Sequence, residues 1–313
     1  MWVVSNKEFI PDLPRLFEKI KYECDLQTFQ PTLVNLRGIH EKFLLSFPFE
    51  NFNLHLREVD ITDRNQCKVD IAPEELEKKL LIDNRGGYCF ELNQYLHYVL
   101  RSLGYHVTPI QARVRWMKPP SIQTPRTHLV NVVTFMAEKD KPLHDQYLCD
   151  VAFGTAGFVH PLCINDHVIG KEQSTIYDTH RVIPYALSSE EEKFLPLDNS
   201  KGHFIVQTLL DDGSWETNYL FHKSEFSTYA DWYCGNWFVA TSPDSVFVKN
   251  LILNKVLEDG KITLFNNCLT RRIIKKTSEG HIQAEVINRE VSKEEFFEIL
   301  AKDFQINVTQ SFR

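Results

Sequence analysis

Cys89 is the residue whose place in the sequence most favours covalent chemistry. It follows the run Asn84-Arg85-Gly86-Gly87-Tyr88 and opens a predicted helix that ends at Gly104. The dipole and the free backbone N–H groups of a helix N-terminus favour the thiolate, which is the nucleophilic form of cysteine. The two glycines would let the backbone pass close to a ligand. These features leave two interpretations open, a nucleophile and a buried, unreactive thiol.

A histidine and an aspartate could serve such a thiol. His128 stands at the entrance of an apolar strand predicted over Leu129 to Phe135, and Asp150 interrupts a second strand predicted over Gln146 to Phe153. Joined as an antiparallel hairpin, the two strands bring His128 to the same end of the sheet as Asp150. A buried carboxylate is costly unless it is paired, and an imidazole is a suitable partner for it. A core histidine and a hairpin-capping aspartate remain the alternatives.

The composition narrows the class of protein. With 313 residues the chain can form two or three packed modules, and its 43% hydrophobic and 25% charged residues are typical of globular proteins. A net charge of −7 argues against nucleic-acid binding, which needs clustered lysine and arginine. No apolar run approaches the roughly 18 residues that span a membrane, and the first residues form no secretion signal. We therefore expect a cytoplasmic protein with neither a nucleic-acid nor a membrane partner.

The cysteines predict neither a disulfide framework nor a metal site. Their number is odd, their spacing is irregular and no Cys-x-x-Cys motif occurs. The seven are Cys24, Cys67, Cys89, Cys149, Cys163, Cys234 and Cys268. A Walker loop, a Gly-x-Gly-x-x-Gly motif, a His-Glu-x-x-His motif and a Gly-x-Ser-x-Gly motif are also absent from the sequence. The sequence therefore gives less support to the nucleotide-binding, zinc-dependent and serine-hydrolase functions that these motifs indicate.

Hydrophobic spacing predicts helices first, then strands, then a mixture of both. Helices are predicted around Leu33 to Leu44, from Asp70 to Leu81, from Cys89 to Leu103 and after the capping-box pattern that starts at Ser292. The pattern changes to short strands at Tyr105. Beyond the hairpin, strands are predicted over Phe204 to Leu210, Thr217 to Phe221, Lys261 to Asn266, Leu269 to Lys275 and Ala284 to Val286, with a helical connector over Ser224 to Cys234.

Several spaced segments resemble the arylamine N-acetyltransferase family. The segment from Asn84 to Asn93 closely resembles the active-site segment of that family. Further matches are Phe47-Pro48-Phe49-Glu50-Asn51, Arg126-Thr127-His128-Leu129, Asp150-Val151-Ala152-Phe153-Gly154 and Thr241 to Phe247. The similarity runs in order from about Leu16 to the terminal helix, so it does not depend on a single motif.

The resemblance implies an α+β multidomain fold with a papain-like cysteine–histidine–aspartate site. The family's architecture would place an N-terminal helical bundle with the nucleophile at residues 1–104. A central β-barrel with the histidine and the aspartate would occupy residues 105–222. A linking helix at 223–240 and a C-terminal α/β lid at 241–313 would complete the chain.

The resemblance also implies a ping-pong acyltransferase of xenobiotic metabolism. Cys89 would take an acetyl group from acetyl-CoA as a thioester, with His128 as its base and Asp150 orienting the imidazole. An arylamine, arylhydrazine or arylhydroxylamine would then accept the acetyl group. Acetyl-CoA would be a co-substrate, with no tightly bound cofactor. By the same resemblance, substrate-binding positions are Phe49, Phe153 and Thr127, and coenzyme A positions are Thr124 and Phe238.

Departures from the family pattern leave donor and acceptor selectivity open. Ala152 stands where the family usually has glycine, and the loop before Asp150 is longer than in many members. Three other functions remain as alternatives: an amide synthase of the same family, a cysteine peptidase, and a binding protein that kept the fold without activity. Turnover of acetyl-CoA separates the acetyltransferase from all three.

Overall fold

The computed structural model describes residues 9–56, 69–119, 121–136, 145–188, 202–276 and 282–306. Cys67 and most of the loop predicted between the two hairpin strands lie outside these residues. Within the described ranges, no helix combines the length and the apolar character that crossing a membrane requires.

Seven α-helices are spaced along the described residues. They are α1 Leu13–Ile20, α2 Leu33–Ser46, α3 Pro73–Glu77, α4 Cys89–Ser102, α5 Tyr229–Thr241, α6 Val246–Lys249 and α7 Lys293–Lys302. The helices predicted around Leu33 to Leu44, from Cys89 to Leu103 and after Ser292 are confirmed as α2, α4 and α7. The helix predicted from Asp70 to Leu81 forms as α3 followed by a π-helical turn, Lys78–Ile82.

Thirteen β-strands in the described residues form two antiparallel sheets. They are β1 Phe49–Glu50, β2 His106–Val114, β3 Arg126–Phe135, β4 Asp145–Cys149, β5 Leu162–Cys163, β6 Glu172–Ser174, β7 Thr179–Pro184, β8 His203–Leu209, β9 Trp215–His222, β10 Ile252–Leu257, β11 Gly260–Phe265, β12 Cys268–Lys276 and β13 Ile282–Glu290. All five strands predicted after the hairpin are present, as β8, β9, β11, β12 and β13. The sequence patterns gave no bounds for the other strands, among them β2, β7 and β10.

The larger sheet, here called the barrel sheet, has eight strands in the order β5-β4-β3-β2-β9-β8-β7-β6. It curls until β5 approaches β7, so that it is a nearly closed barrel. Its interior is filled by apolar side chains such as Ile110, Val130, Leu148 and Val206. Both α4 and α5 pack against β3, which places the start of α4 beside the strand that carries His128.

The smaller sheet, here called the C-terminal sheet, has the order β1-β10-β11-β12-β13. Its edge strand β1 comes from the turn after α2, and Phe49 pairs with Asn254 in β10. Helix α7 covers one face of the sheet, where Leu300 packs in a cluster with Leu253 and Leu264. The N-terminal part of the chain is thus joined to the C-terminal part through backbone hydrogen bonds next to Phe49.

Two predicted elements have different bounds in the structure. β4 ends at Cys149, not at Phe153, because the next backbone N–H groups bond to side chains: Asp150 N–H donates to His40 Nε2 at 3.1 Å and Val151 N–H to Asn93 Oδ1 at 2.9 Å. The helix predicted over Ser224 to Cys234 begins later, as α5. A capping interaction sets its start, since Thr228 N–H donates to Asp231 Oδ2 at 2.7 Å.

Candidate active site

Cys89 is the first residue of α4 and is almost completely buried, with 4% of its surface exposed. The N–H of the preceding residue, Tyr88, donates to Glu91 Oε2 at 3.0 Å, so the third helical residue caps the start of the helix. Glu91 is held in turn by Lys79, whose Nζ lies 2.5 Å from Oε1. The N–H groups of the first helical turn have no acceptor within the helix and carry partial positive charge toward Cys89.

The two glycines before Cys89 serve close packing within the chain. A Cβ atom on Gly86 would lie 1.8 Å from the carbonyl oxygen of Pro48, and one on Gly87 would lie 2.7 Å from the Glu91 carboxylate. The Gly87 N–H donates to the Pro48 carbonyl at 3.2 Å. The expectation that these glycines make room for a ligand is therefore wrong, because the chain itself fills the space. The glycines instead let the segment after α2 lie directly against the start of α4.

A buried ion pair fixes the same segment. Nε and Nη2 of Arg85 donate to Glu50 Oε1 at 3.1 and 2.9 Å, and the N–H of Phe52 donates to Oε2 at 2.8 Å. Burial raises the pKa of Glu50, but the charges of Arg85 and Lys79 outweigh burial and bring that pKa below its ordinary value. Because Glu50 is the neighbour of Phe49, this ion pair also fixes Phe49 near Cys89.

His128 and Asp150 form a hydrogen-bonded ion pair in the interior. His128 Nε2 donates to Asp150 Oδ2 at 2.7 Å, and both side chains are buried. Burial by itself lowers the pKa of His128, but the Asp150 carboxylate and the Cys89 side chain raise it to about 10. Burial raises the pKa of Asp150, whereas the charge and hydrogen bond of His128 bring it below its ordinary value. The pair is therefore charged at neutral pH, and Nδ1 of His128 is left for Cys89.

Asn93, one helical turn after Cys89, connects the elements that carry the three candidate residues. Its Nδ2 donates to Asp150 Oδ1 at 2.8 Å and to the Leu129 carbonyl at 2.7 Å. Its Oδ1 accepts from the Val151 N–H at 2.9 Å. No sequence pattern assigned a role to Asn93. Its spacing of four residues from Cys89, on the same helical face, is the signal that could have found it.

His40 supports Asp150 from α2. Its Nε2 accepts from the Asp150 N–H at 3.1 Å, and its Nδ1 donates to the Val159 carbonyl at 2.8 Å. Burial lowers the pKa of His40 to about 4, so the ring is neutral at pH 7. This residue was also missed. It is a polar residue among the buried apolar positions of α2, such as Ile39 and Phe43, and that break in the pattern was its signal.

A cavity of about 500 Å³ opens onto Cys89. Its walls come from the start of α4, the barrel sheet, the C-terminal sheet and the ends of α5 and α6. The lining is largely apolar and includes Val114, Trp116, Val246, Phe247, Ile252 and Phe265. Apart from His128, the charged residues of the described lining are Lys118 and Asp244. A cavity with such walls suits a flat apolar group better than an ionic one.

The structure brings seven of the eight predicted site residues to this one cavity. They are Phe49, Cys89, Thr124, Thr127, His128, Phe153 and Phe238. The eighth, Asp150, is hydrogen-bonded to His128. The Phe153 ring lies 5.0 Å from the His128 ring and 6.3 Å from the Trp116 ring, centroid to centroid. Thr127 contributes its carbonyl oxygen, which lies 3.7 Å from Cys89 Sγ.

This arrangement has the parts that thiol-based acyl transfer needs. A cysteine at a helix N-terminus adjoins an imidazole, and a buried carboxylate holds the imidazole. The described ranges contain no group of three or more histidine, cysteine, aspartate or glutamate side chains placed to hold a metal ion.

Comparisons with known proteins identify N-acetyltransferases as relatives of this chain. A family model described as N-acetyltransferase matches residues 32–313. The arylamine N-acetyltransferase of Mycobacterium tuberculosis is 30% identical over 254 residues, which is 81% of this chain and 77% of that protein. The Escherichia coli arylamine N-acetyltransferase is 31% identical over 233 residues, 74% of this chain and 69% of that protein. A solved structure of the Mycobacterium marinum arylamine N-acetyltransferase in complex with CoA has a TM-score of 0.73 at 28% identity, covering 95% of this chain and 93% of that one.

Proposed function

The chain belongs to the arylamine N-acetyltransferase family, and on that premise we propose that it moves an acetyl group from acetyl-CoA to an arylamine, arylhydrazine or arylhydroxylamine through a thioester on Cys89. One observation carries the proposal. The buried His128–Asp150 ion pair adjoins Cys89 at the cavity, so a thiol, a base and the group that orients the base occur together.

The first half-reaction forms the thioester. With its pKa raised to about 10, His128 is protonated at neutral pH and stabilises the Cys89 thiolate. The thiolate attacks the thioester carbonyl of acetyl-CoA, and a tetrahedral intermediate forms. Its carbon–sulfur bond to coenzyme A then breaks, and the departing thiolate takes the proton of His128. The Cys89 N–H at the start of α4 is a donor for the oxyanion of the intermediate.

The second half-reaction delivers the acetyl group. The neutral amine of the acceptor attacks the carbonyl of acetyl-Cys89, and His128, now neutral, takes the proton that the amine loses. The carbon–sulfur bond breaks, and the Cys89 thiolate returns beside protonated His128. Asp150 stays ionised throughout, since its carboxylate holds three hydrogen bonds, from His128, Asn93 and the Ala152 N–H.

The cavity supports an aromatic acceptor. Phe153 and Trp116 are in edge-to-face contact, and Phe153 also touches the His128 ring. Phe49 also lines the cavity, next to Phe247 at 5.9 Å between ring centroids. An aromatic amine between these rings would place its nitrogen near Cys89 and would be neutral at pH 7. We assign Phe49, Phe153 and Thr127 to the acceptor on this basis.

The cavity mouth supports coenzyme A as the donor. Thr124 and Phe238 both line the cavity, and 38% of the Phe238 surface is exposed. The solved relative from Mycobacterium marinum was determined in complex with CoA. We propose that these two residues contact the donor.

The chain segments have separate roles in this proposal. Residues 1–104 supply the nucleophile, and residues 105–222 supply its histidine and aspartate partners. Residues 223–240 link these parts to residues 241–313, which act as a lid over the cavity.

The direct test is acetyl transfer to a simple acceptor. Purified protein with acetyl-CoA and aniline should form acetanilide and free coenzyme A in equal amounts, as measured by chromatography and by a thiol assay. Cys89→Ser is the variant that removes the nucleophile, and Cys163→Ser is the matched control, since Cys163 lies on β5 and is not among the residues lining the cavity.

Two results would contradict the proposal. Acetanilide formation by Cys89→Ser at the rate of the unaltered protein would remove Cys89 as the acyl carrier. A lack of acetyl-CoA turnover, with cleavage of a peptide or closure of a lactam in its place, would favour the peptidase or the amide synthase.

A further inference from the structure

Lys261 is a buried lysine on the C-terminal sheet whose ammonium group points into the barrel side of the molecule. Only 3% of its side chain is exposed. Its Nζ donates to the Thr155 carbonyl at 2.9 Å and to the Gly157 carbonyl at 3.1 Å, and it forms an ion pair with the Asp178 carboxylate. The three protons of the ammonium group therefore have three acceptors. A buried lysine is costly unless it is satisfied in this way.

The carbonyls that Lys261 holds belong to the wall of the cavity. Gly154, Thr155 and Ala156 line the cavity directly after Phe153. The Ala156 carbonyl, between the two that Lys261 holds, accepts from Asn218 Nδ2 at 3.1 Å. Three consecutive carbonyls are thus fixed by side chains, two by Lys261 of the C-terminal sheet and one by Asn218 of the barrel sheet. This segment is referred to below as wall 153–157.

Wall 153–157 has little regular structure to hold it without these contacts. It contains a single 3₁₀ turn, Gly154–Ala156, and Gly154, the first residue of that turn, has a positive φ of 67°. A second contact to the C-terminal sheet joins the hydroxyl groups of Thr155 and Thr263 at 3.3 Å. The wall's orientation determines where the Phe153 ring stands, 5.0 Å from the His128 ring.

We propose that Lys261 is a positioning residue for the acceptor: it fixes wall 153–157, and through Phe153 it sets the face of the cavity against which the aromatic ring of the amine binds. This rests on the proposed function, because it names the part of the C-terminal sheet that shapes the acceptor site. Lys261 touches neither the amine nor Cys89. Its effect is therefore on acceptor binding, and the chemical reactivity of the thiol does not depend on it.

The test compares Lys261 with Arg272, a second basic residue that joins the C-terminal sheet to the barrel side. Lys261→Met removes the charge and keeps most of the aliphatic chain. Arg272→Met is the matched control, since Arg272 also joins the C-terminal sheet to the barrel side, through the Tyr177 carbonyl at 3.1 Å and Asp211 at 2.8 Å, with no recorded bond to wall 153–157. Asp178→Asn weakens the Lys261 anchor more gently and serves if Lys261→Met does not fold.

Three quantities are measured for each variant. They are the KM and kcat for aniline at saturating acetyl-CoA, the Kd of aniline in a Cys89→Ala background by calorimetry, and the rate at which iodoacetamide alkylates Cys89. In Lys261→Met we expect KM and Kd to rise about tenfold, since a displaced wall misplaces the ring, while the alkylation rate stays within about twofold. Asp178→Asn should show a smaller rise in the same direction, and Arg272→Met should leave KM and Kd unchanged.

Equal KM and Kd values in Lys261→Met and the unaltered protein would overturn the proposal. So would an equal rise in Arg272→Met, which would mean that docking of the two sheets matters and the wall contact does not. Failure of the proposed function is a separate result, because the unaltered protein would then show no acetyl transfer to aniline. The calorimetric Kd tests Lys261 even in that case.

Discussion

Asn93 and Asp150 are joined by a hydrogen bond of 2.8 Å between Nδ2 and Oδ1, which links the helix of the nucleophile to the carboxylate that holds the imidazole. The same side-chain amide bonds to the Leu129 carbonyl and the Val151 N–H. The buried side-chain amide of Asn93 therefore fixes the position of the helix that carries Cys89 relative to Asp150, the partner of His128. This connection gives the first prediction.

Asn93→Leu keeps the volume of the side chain and removes its hydrogen bonds. The Leu129 carbonyl and the Val151 N–H would lose their partner inside the protein, at a cost of about 1–3 kcal/mol for each group. We expect kcat/KM to fall about 10- to 100-fold and the free energy of unfolding to fall by a few kcal/mol. Steady-state kinetics and urea unfolding measure the two effects.

The control for Asn93 is Asn131→Leu. Asn131 is a buried amide on β3 that donates to the Asn93 carbonyl at 2.8 Å and makes no recorded bond to Asp150. It should lose stability with a smaller loss of activity. Equal activity losses in the two variants would show that general packing explains the effect and that the link to Asp150 does not.

Asp150→Asn should abolish most of the activity. The amide cannot balance the charge of the imidazolium, and it can present an N–H where the structure has an acceptor, so His128 loses both its charge partner and its orientation. We expect kcat/KM to fall about 10³- to 10⁴-fold, and the pKa of His128, measured by NMR, to fall from its raised value. Asp145→Asn, on the far end of β4, is the control and should keep full activity. A near-normal rate in Asp150→Asn would mean that another group orients His128.

Stability should decrease below about pH 6.5. Burial lowers the pKa of His40, His97 and His180 to about 4, so the unfolded chain binds more protons than the folded one between about pH 6.5 and 4. Each histidine then contributes a loss of about 1.4 kcal/mol per pH unit across that window. His128 acts in the opposite sense: its pKa is raised to about 10, so its contribution is full below pH 6.5 and is lost as the pH rises through 10.

Urea unfolding at several pH values tests this balance. The free energy of unfolding should be greatest near neutral pH and should fall steeply from pH 6.5 to 5. In His180→Gln the slope over that range should decrease by about one proton, since His180 would no longer titrate on unfolding. An unchanged slope in His180→Gln would show that carboxylates cause the acid loss.

Much of the site could be predicted because its residues carry their own signals. Cys89 follows two glycines and opens a helix of clear apolar period, and Asp150 breaks an apolar run. Asn93 carries only its four-residue spacing from Cys89, and Lys261 carries no signal of its own. An asparagine within a helix and a lysine at a strand start are ordinary surface residues by pattern, and only tertiary packing buries them.

The remaining differences in the fold have the same origin. β1 is two residues long and pairs with β10 about two hundred residues later, which no local pattern can indicate. The start of α5 depends on a cap between Thr228 and Asp231, where the hydrophobic spacing alone suggested an earlier start. The role of Gly86 depends on Pro48, which lies far from it in sequence and fills the space that was expected to admit a ligand.

Cys89 should be alkylated faster than the other cysteines at pH 6. Protonated His128, with its pKa raised to about 10, places a positive charge beside Cys89 over the whole neutral range. Burial, by contrast, raises the pKa of the Cys149 and Cys163 thiols. Stopped-flow reaction with iodoacetamide, followed by peptide mass spectrometry, should show one fast phase on Cys89 that is lost in His128→Gln. A Cys89 rate that rises only between pH 8 and 9 would contradict a resting ion pair.

Intact mass after mixing with acetyl-CoA alone tests the central claim most directly, because it detects the thioester before any acceptor is present. With no amine, the protein should gain the mass of one acetyl group, about 42 Da, and digestion should place it on the peptide that contains Cys89. Adding aniline should remove the adduct and release acetanilide. Cys89→Ser should show no adduct under the same conditions. An adduct on another residue, or transfer to aniline without any adduct on Cys89, would contradict the account of Cys89 as the acyl carrier.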